Sequence, residues 1–356
     1  MRPAQATAAS VPDACSTAYT AHVGDQAFHV RCDGQRLHLE PVNTGTSSLW
    51  SLSHGTRGQP LGLHWLGPTG MPESGELLAA LETAFALRPE AQEIALHLPR
   101  LPNGLPDGLV SSPHGQTPCV ARAVLWQQPL WLPQPRAPYA LHYTFSEGRR
   151  HPVRLHKPRG EVYRRFIPWL GQTLSLRALE PARDLATVHH WMNDPVVAHF
   201  WEESGDIAHH RAYLERIAAD PHVLPLIGSF DGQPFGYFEA YWAKEDRIAP
   251  FYDAGDHDRG WHALVGEACF RGRPYLTAWL PSLSHYLLLD DCRTQRIVVE
   301  PRSDNWKMRK SLPRCGYALV KEFDFPHKRA VLGVLLREHF FADALWIPHA
   351  PGPSTQ

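Results

Sequence analysis

Residues 293–323 read RTQRIVVEPRSDNWKMRKSLPRCGYALVKEF: a β-branched run, an acidic turn, an asparagine at 305, a helix-like segment, then Cys-Gly-Tyr before another apolar run. The β-branched run predicts a strand. Asparagine is a poor residue inside a helix and a good one at its mouth, where its side chain accepts from backbone N–H groups that have no helical partner. The stretch therefore reads as strand, turn, helix capped by Asn305, Gly316, strand.

Outward from it, residues 170–345 are regular. QTLSLRALE alternates as a strand, ARDLATVHHWMND has helical spacing, and DIAHHRAYLERIAAD predicts a second helix with Asp206 as N-cap. HVLPLIGSF and PFGYFEAYWA flank Asp231-Gly232 and predict a hairpin. After a loop come strand GWHALVGE and then FRGRPYLTAWLPSLSHYLLLD, a glycine turn opening a helix that Pro281 kinks or starts. YALVKEFDF and RAVLGVLLRE are the closing strands. The order is strand, helix, helix, three strands, helix, strand, helix, strand, strand.

The first part of the chain has another texture. AFHVRCDGQRLHLEPV turns at Asp33-Gly34, and GELLAALETAFALRPEAQEIALHL gives a helix leading into a short strand. Nine prolines between 99 and 138 predict loop with edge strands such as ARAVLWQ. RGEVYRRFIPWLGQ reads as the join. The expectation is an α+β chain divided into 1–165, an N-terminal α+β domain of unstated role, 166–345, and a tail at 346–356.

The 356 residues carry a net charge of −1, which leaves no basic footprint for nucleic acid or an anionic membrane. Six cysteines form neither C-x-x-C nor a zinc-type cluster, so no metal is expected and the thiols read as those of a reducing compartment. The first residues lack the apolar core of a secretory leader, and no window reaches about 18 apolar residues. These features predict a cytoplasmic protein.

Residues 160–341 resemble the GNAT N-acyltransferases, and within them the siderophore-biosynthesis branch that acylates N-hydroxylated lysine, ornithine or diamines. HHWMNDPVVAHFWEESG, GEACFRGRPYLTAWLPSLSHYLLLDDCRTQRIVVEPRSDN and KEFDFPHKRA carry the resemblance. It implies a mixed central sheet flanked by helices, acyl-CoA (acetyl or succinyl) as co-substrate, a small hydroxylamine acceptor, direct transfer to give a hydroxamate, and other siderophore-pathway enzymes as partners. It also implies that Asn305 meets the pantetheine arm where two strands splay. The family's Gly-aromatic pair stands here as Gly316-Tyr317, while Leu312 replaces a tyrosine that commonly protonates the departing thiolate. A plain N-cap remains the other reading of Asn305.

The chemistry implied falls on few residues. Gly272 lets backbone approach a diphosphate at a helix start, with Arg271 and Arg273 as charged contacts, although Pro274 removes one donor. His262, on strand GWHALVGE, is the candidate base for the attacking nitrogen, and relatives carry a histidine on the matching strand. Glu300 and Asp304 rank equally as the second, acidic candidate group for that role, or as simple helix caps. Glu202, Glu203 and the loop acids Asp253, Asp256 and Asp258 read either as attraction for a cationic tail or as solvated residues. Trp201, Tyr241 and Trp242 read either as walls of a slot for the acceptor's methylene chain or as core. The His189-His190 and His209-His210 neighbours point different ways and do not form a metal pair. An ordinary amine acetyltransferase and a non-catalytic acyl-CoA-binding module are the alternative functions.

Overall fold

The computed structural model describes residues 17–348 except 44, 54–59, 68–69, 113–115, 138 and 147. The expectations for the N-terminal residues, including Cys15, and for the last of the tail lie outside these. The chain divides into two compact units at Leu125/Trp126, earlier than the expected 165/166.

The first unit is a seven-stranded sheet in sequential order, β1 (Thr17–Val23), β2 (Gln26–Asp33), β3 (Arg36–Pro41), β4 (Ser48–Ser53), β5 (Leu61–Trp65), β6 (Glu93–His97) and β7 (Cys119–Ala121). All pairings are antiparallel except β5 with β6, which α1 (Ser74–Leu87) connects. Gly34, at φ +58°, makes the expected β2–β3 turn. ARAVLWQ departs from expectation: only its first residue is strand, and Arg122–Leu125 form the short helix α2.

The first strands of the second unit, β8 (Tyr143–Ser146) and β9 (Arg149–Pro152), pair as a separate two-stranded hairpin. An eight-stranded sheet follows, in the order β10 (Glu161–Ile167), β11 (Gln172–Ala178), β12 (Val223–Phe230), β13 (Gln233–Trp242), β14 (Arg259–Val265), β15 (Arg296–Val299), β17 (Arg329–Leu336) and β16 (Ala318–Asp324). The supposed join at 160–167 is thus an edge strand of this sheet. Trp126, Trp131 and Trp346 belong here too, packed around buried His285, so the tail begins after Trp346 rather than at it. These contacts tie residues far apart in sequence, and no local pattern announces them.

Strands β12 and β13 are buried along nearly their whole length, as central strands covered on both faces. Their turn places both Asp231 (φ +47°) and Gly232 (φ +78°) at positive φ, the requirement of a tight two-residue hairpin. Helices α3 (Pro181–Met192), α4 (Pro195–Trp201) and α5 (Ile207–Ala219) cross from β11 to β12, and Asp206 caps α5 by accepting from the His209 N–H at 2.8 Å. Helix α6 (Arg273–Asp290) joins β14 to β15 and contains Pro281, α7 (Trp306–Ser311) joins β15 to β16, and α8 (Arg337–Ala342) follows β17. From β11 onward the observed order matches the expected one apart from the additional helices α4 and α8, the latter taking Arg337 and Glu338 from the expected last strand.

The feature that makes a site is the one parallel pairing of this sheet. β14 and β15 pair only through Arg259↔Ile297 and Gly260↔Val298. Beyond Gly260 the strands separate, leaving the β14 backbone from Trp261 onward without a ladder partner on that side. Gly260 fits the point of separation because a Cβ there would lie 2.2 Å from the Tyr241 ring.

Candidate active site

His262 stands on β14 just past the separation, one fifth of its side chain open to solvent. Sheet register sets it opposite Glu239 of β13, and the end of β15 brings Glu300 to its other side. Its Nδ1 lies 3.0 Å from Glu239 Oε2 and its Nε2 2.9 Å from Glu300 Oε1. Both carboxylates are buried and well supplied with donors. Glu239 accepts from the Tyr213 and Tyr237 hydroxyls, and Glu300 from the Tyr241 hydroxyl at 3.1 Å and from Arg247 at 3.2 Å, with Lys328 3.5 Å away.

Burial alone pushes the imidazole down, but Glu300 and Glu239 outweigh it and raise His262 to about 10. Burial likewise pushes Glu300 up, and the charges of His262, Lys328 and Arg247 reverse this and hold it far below the usual carboxylate range. Glu239 is also lowered against burial, by His262 and the two tyrosines. At neutral pH His262 is therefore an imidazolium between two carboxylates, with neither nitrogen available as an acceptor.

Two cavities meet at this ring, and Phe200, Trp201, His262 and Lys328 line both. The narrower, about 120 Å3, is the slot opened by strand separation, walled by Trp261, Ala263, Val299, Asn305, Met308 and Leu312. Asn305 caps α7 by accepting from the Met308 N–H at 3.1 Å, which leaves its amide NH2 for the slot. Leu312 is buried with no polar replacement, and Tyr317 is not a substitute donor: it is buried, accepts from Trp261 Nε1 at 2.9 Å and bonds Ser284 Oγ at 2.8 Å. The wider cavity, about 410 Å3, runs the other way past Tyr213, Ile217 and Val223.

A third concavity, about 580 Å3, lies along α6 and α7, lined by Gly272, Arg273, Lys307, Lys310 and Arg314 and by no acid. Gly272 caps α6 at φ +113°, a conformation that favours glycine. These four cations have no carboxylate partner among the described residues, so groove and helix start together suit phosphates. Arg271 sits apart: its guanidinium donates to the Val265 and Gly266 carbonyls and pairs with Asp194 at 3.3 Å.

Of the other expected residues, Trp201 and Glu203 line the wide cavity. Tyr241 lies beneath His262, ring centroids 4.8 Å apart. Glu202 pairs with Arg302, which also holds exposed Asp304 at 2.9 Å, so Asp304 does not join the cluster. Trp242 stacks under Arg154 and Arg259 away from both cavities, and buried Asp258 pairs with Arg296. Glu239 was missed by sequence reasoning. The signal available was an acid inside an apolar strand, on the same face as Tyr237 and Tyr241 by two-residue alternation. A histidine pair does exist, but across helices: His189 Nδ1 and His210 Nδ1 lie 2.7 Å apart. Among the described residues no group of three metal-ligating side chains converges, and no helix is long and apolar enough to cross a membrane.

Residues 180–325 match the acetyltransferase (GNAT) domain. The chain is 40% identical over 308 residues to the N(6)-hydroxylysine O-acetyltransferase of Escherichia coli, covering 85% of this chain and 93% of that one. It is 42% identical over 255 residues to a putative lysine N-acyltransferase of Schizosaccharomyces pombe, 71% of this chain and 73% of that one. A third relative, the N(5)-hydroxyornithine:cis-anhydromevalonyl coenzyme A-N(5)-transacylase of Beauveria bassiana, is 44% identical over 200 residues, 54% of this chain and 43% of that one. The chain belongs to this acyltransferase family, built on a GNAT domain.

Proposed function

We propose that this enzyme moves an acyl group, acetyl or succinyl, from CoA to the nitrogen of an N-hydroxylated diamine or amino acid, forming a hydroxamate for siderophore biosynthesis. The observation that carries the reading is the meeting of slot and wide cavity at His262, because direct transfer requires donor and acceptor to reach one ring from opposite sides. The slot with Asn305 suits a pantetheine arm, and the groove with Gly272, Arg273, Lys307, Lys310 and Arg314 suits the phosphates. The thioester supplies the electrophilic carbonyl and a thiolate leaving group.

In the reaction the nitrogen lone pair forms the new C–N bond, the C–S bond breaks, and one N–H proton must leave. The pairing of His262 changes the role expected of it. As an imidazolium, its two N–H groups held by Glu239 and Glu300, it contributes positive charge where negative charge develops on the carbonyl oxygen. Glu300, which shares His262's proton, takes the proton from the attacking nitrogen. A carboxylate held low is a weak base, and it suffices: a nitrogen that has attacked a carbonyl sheds its proton readily, and an N-alkylhydroxylamine is already unprotonated at neutral pH. The thiolate departs without a tyrosine donor at 312, tolerable for a leaving group whose thiol pKa is near about 8.5.

Thiol release measured with acetyl-CoA and succinyl-CoA, on N6-hydroxylysine and on lysine, tests the reading, with ferric-complex absorbance as second readout. Release with the hydroxylated acceptor and a coloured ferric hydroxamate is expected. Equal rates with lysine would make it an ordinary amine acetyltransferase, and release without the ferric complex would move the acyl group to oxygen.

A further inference from the structure

The wide cavity is crowded with charge, and that charge does not balance. Each carboxylate in its wall has a basic partner: Glu203 with His209 at 2.9 Å, Asp220 with His222 at 2.5 Å, Glu239 with His262, Glu245 with Arg154, and Asp246 with His222 at 3.8 Å. The basic side chains outnumber them. Arg247 and Lys328 both rely on Glu300, which His262 also bonds, and Arg149 and Arg216 have no carboxylate partner among the described residues. Arg216 lies over the Tyr213 ring, its carbon 5.1 Å from the centroid, and Arg149 uses only Nη1, donating to the Glu245 and Asp246 carbonyls at 2.9 and 2.6 Å. A cavity that has satisfied its acids and left two guanidiniums unmatched is made for an anionic group, and a guanidinium fork suits a carboxylate.

We infer that Arg149 and Arg216 form a carboxylate-binding subsite at the wide cavity, so that the acceptor is an ω-N-hydroxylamino acid with a free carboxylate rather than a diamine. This rests on the reading of the cavity as the acceptor site. The acceptor's methylene stem runs along Phe200, Trp201, Ile217 and Val223, with its hydroxylamine at His262 and its carboxylate at the two arginines. Of the acids expected to attract a cationic tail, Glu202, Glu203, Asp256 and Asp258 pair with Arg302, His209, Lys244 and Arg296, and Asp253 does not line the cavity.

Arg149 comes from the β8–β9 hairpin, which lies before the matched GNAT residues 180–325. That hairpin is fastened to the loop after β13: Tyr143 donates to Asp256 at 2.5 Å, and Arg154, just beyond β9, grips Glu245 through two bonds at 2.5 and 2.7 Å. The hairpin is therefore a specificity element, added to a core that on its own carries the donor sites and His262.

The test compares acceptors that differ only in the carboxylate, N6-hydroxylysine with N-hydroxycadaverine and N5-hydroxyornithine with N-hydroxyputrescine, using the full chain and thiol release. Wild type is expected to favour the amino acids. Arg216→Ala on the exposed helix face, and Arg149→Gln in the hairpin, are each expected to raise KM for the amino acids about 10- to 100-fold, the loss of a charged hydrogen bond, and to leave the diamines within about twofold. Comparable kcat/KM for both acceptor types in wild type, or an equal loss on both in Arg216→Ala, would overturn the subsite while leaving the transfer reading intact. No thiol release with any hydroxylamine would overturn both.

Discussion

The donor groove and the His262 cluster both gather charge, and they do so in opposite ways. Along α6 and α7 the cations Arg273, Lys307, Lys310 and Arg314 have no carboxylate partner among the described residues, so the energy of binding phosphate is not spent on internal pairs. Around His262 the charges are matched and the carboxylates buried: Glu239, Glu300, three tyrosine hydroxyls, Lys328 and the half-exposed Arg247 fix one ring. Unpaired exposed charge serves affinity and tolerates change. Paired buried charge serves geometry and does not, because removing one member leaves the others desolvated and unmatched.

The largest expected break is at Glu300. Glu300→Gln removes the proton acceptor and one of the two anions holding His262, and kcat should fall about 10²- to 10⁴-fold with little change in the KM for acyl-CoA. Steady-state kinetics at saturating acceptor check this. On the groove side, Arg273→Ala with Lys310→Ala should raise the acyl-CoA KM about 10- to 100-fold without altering kcat, and the effect should shrink as salt rises. A fall in kcat there would mean that the groove positions the chemistry rather than merely holding the donor.

Part of this division was legible in the chain: Arg273 was a candidate on the groove side, whereas Lys307, Lys310 and Arg314 come beside it only in the fold. Asn305, Gly272 and Gly316 announce themselves because turns and caps demand particular residues at particular points, and that demand is local. His262 was readable as a candidate for the same reason: it sits on a strand whose neighbours in the element order fix its place. Its charge state was not, because it depends on Glu239, which strand register alone brings opposite it. Asp304 and Glu300 looked equivalent in sequence, yet one ends buried against His262 and the other exposed on Arg302. The boundary at 125 was hidden because Trp126 and Trp131 find their partners at His285 and Trp346, far along the chain.

A smaller effect concerns stability against pH. His262 is held near about 10 in the fold against an unfolded value of about 6.5, so its pairing stabilises fully below the unfolded value and is lost as pH rises through about 10. His262→Gln should remove that dependence, its Tm falling by a few °C less than that of wild type between neutral pH and about 10, read by thermal melts. A wild-type Tm that is flat over that range would deny the paired imidazolium. The smallest effect belongs to Asp304→Ala: the pair it makes with Arg302 is exposed and worth about 0–1 kcal/mol, so kcat and both KM values should stay within about twofold. A larger loss would return Asp304 to the catalytic group.

The most direct test of His262 as the point where donor and acceptor meet is kcat and acyl-CoA affinity measured together on a stably folded His262→Ala enzyme, with N6-hydroxylysine as acceptor. A fall in kcat of about 10²- to 10³-fold is expected, with acyl-CoA affinity unchanged, because the proposed donor contacts lie in the slot and groove. Retention of more than about a tenth of wild-type kcat would contradict it.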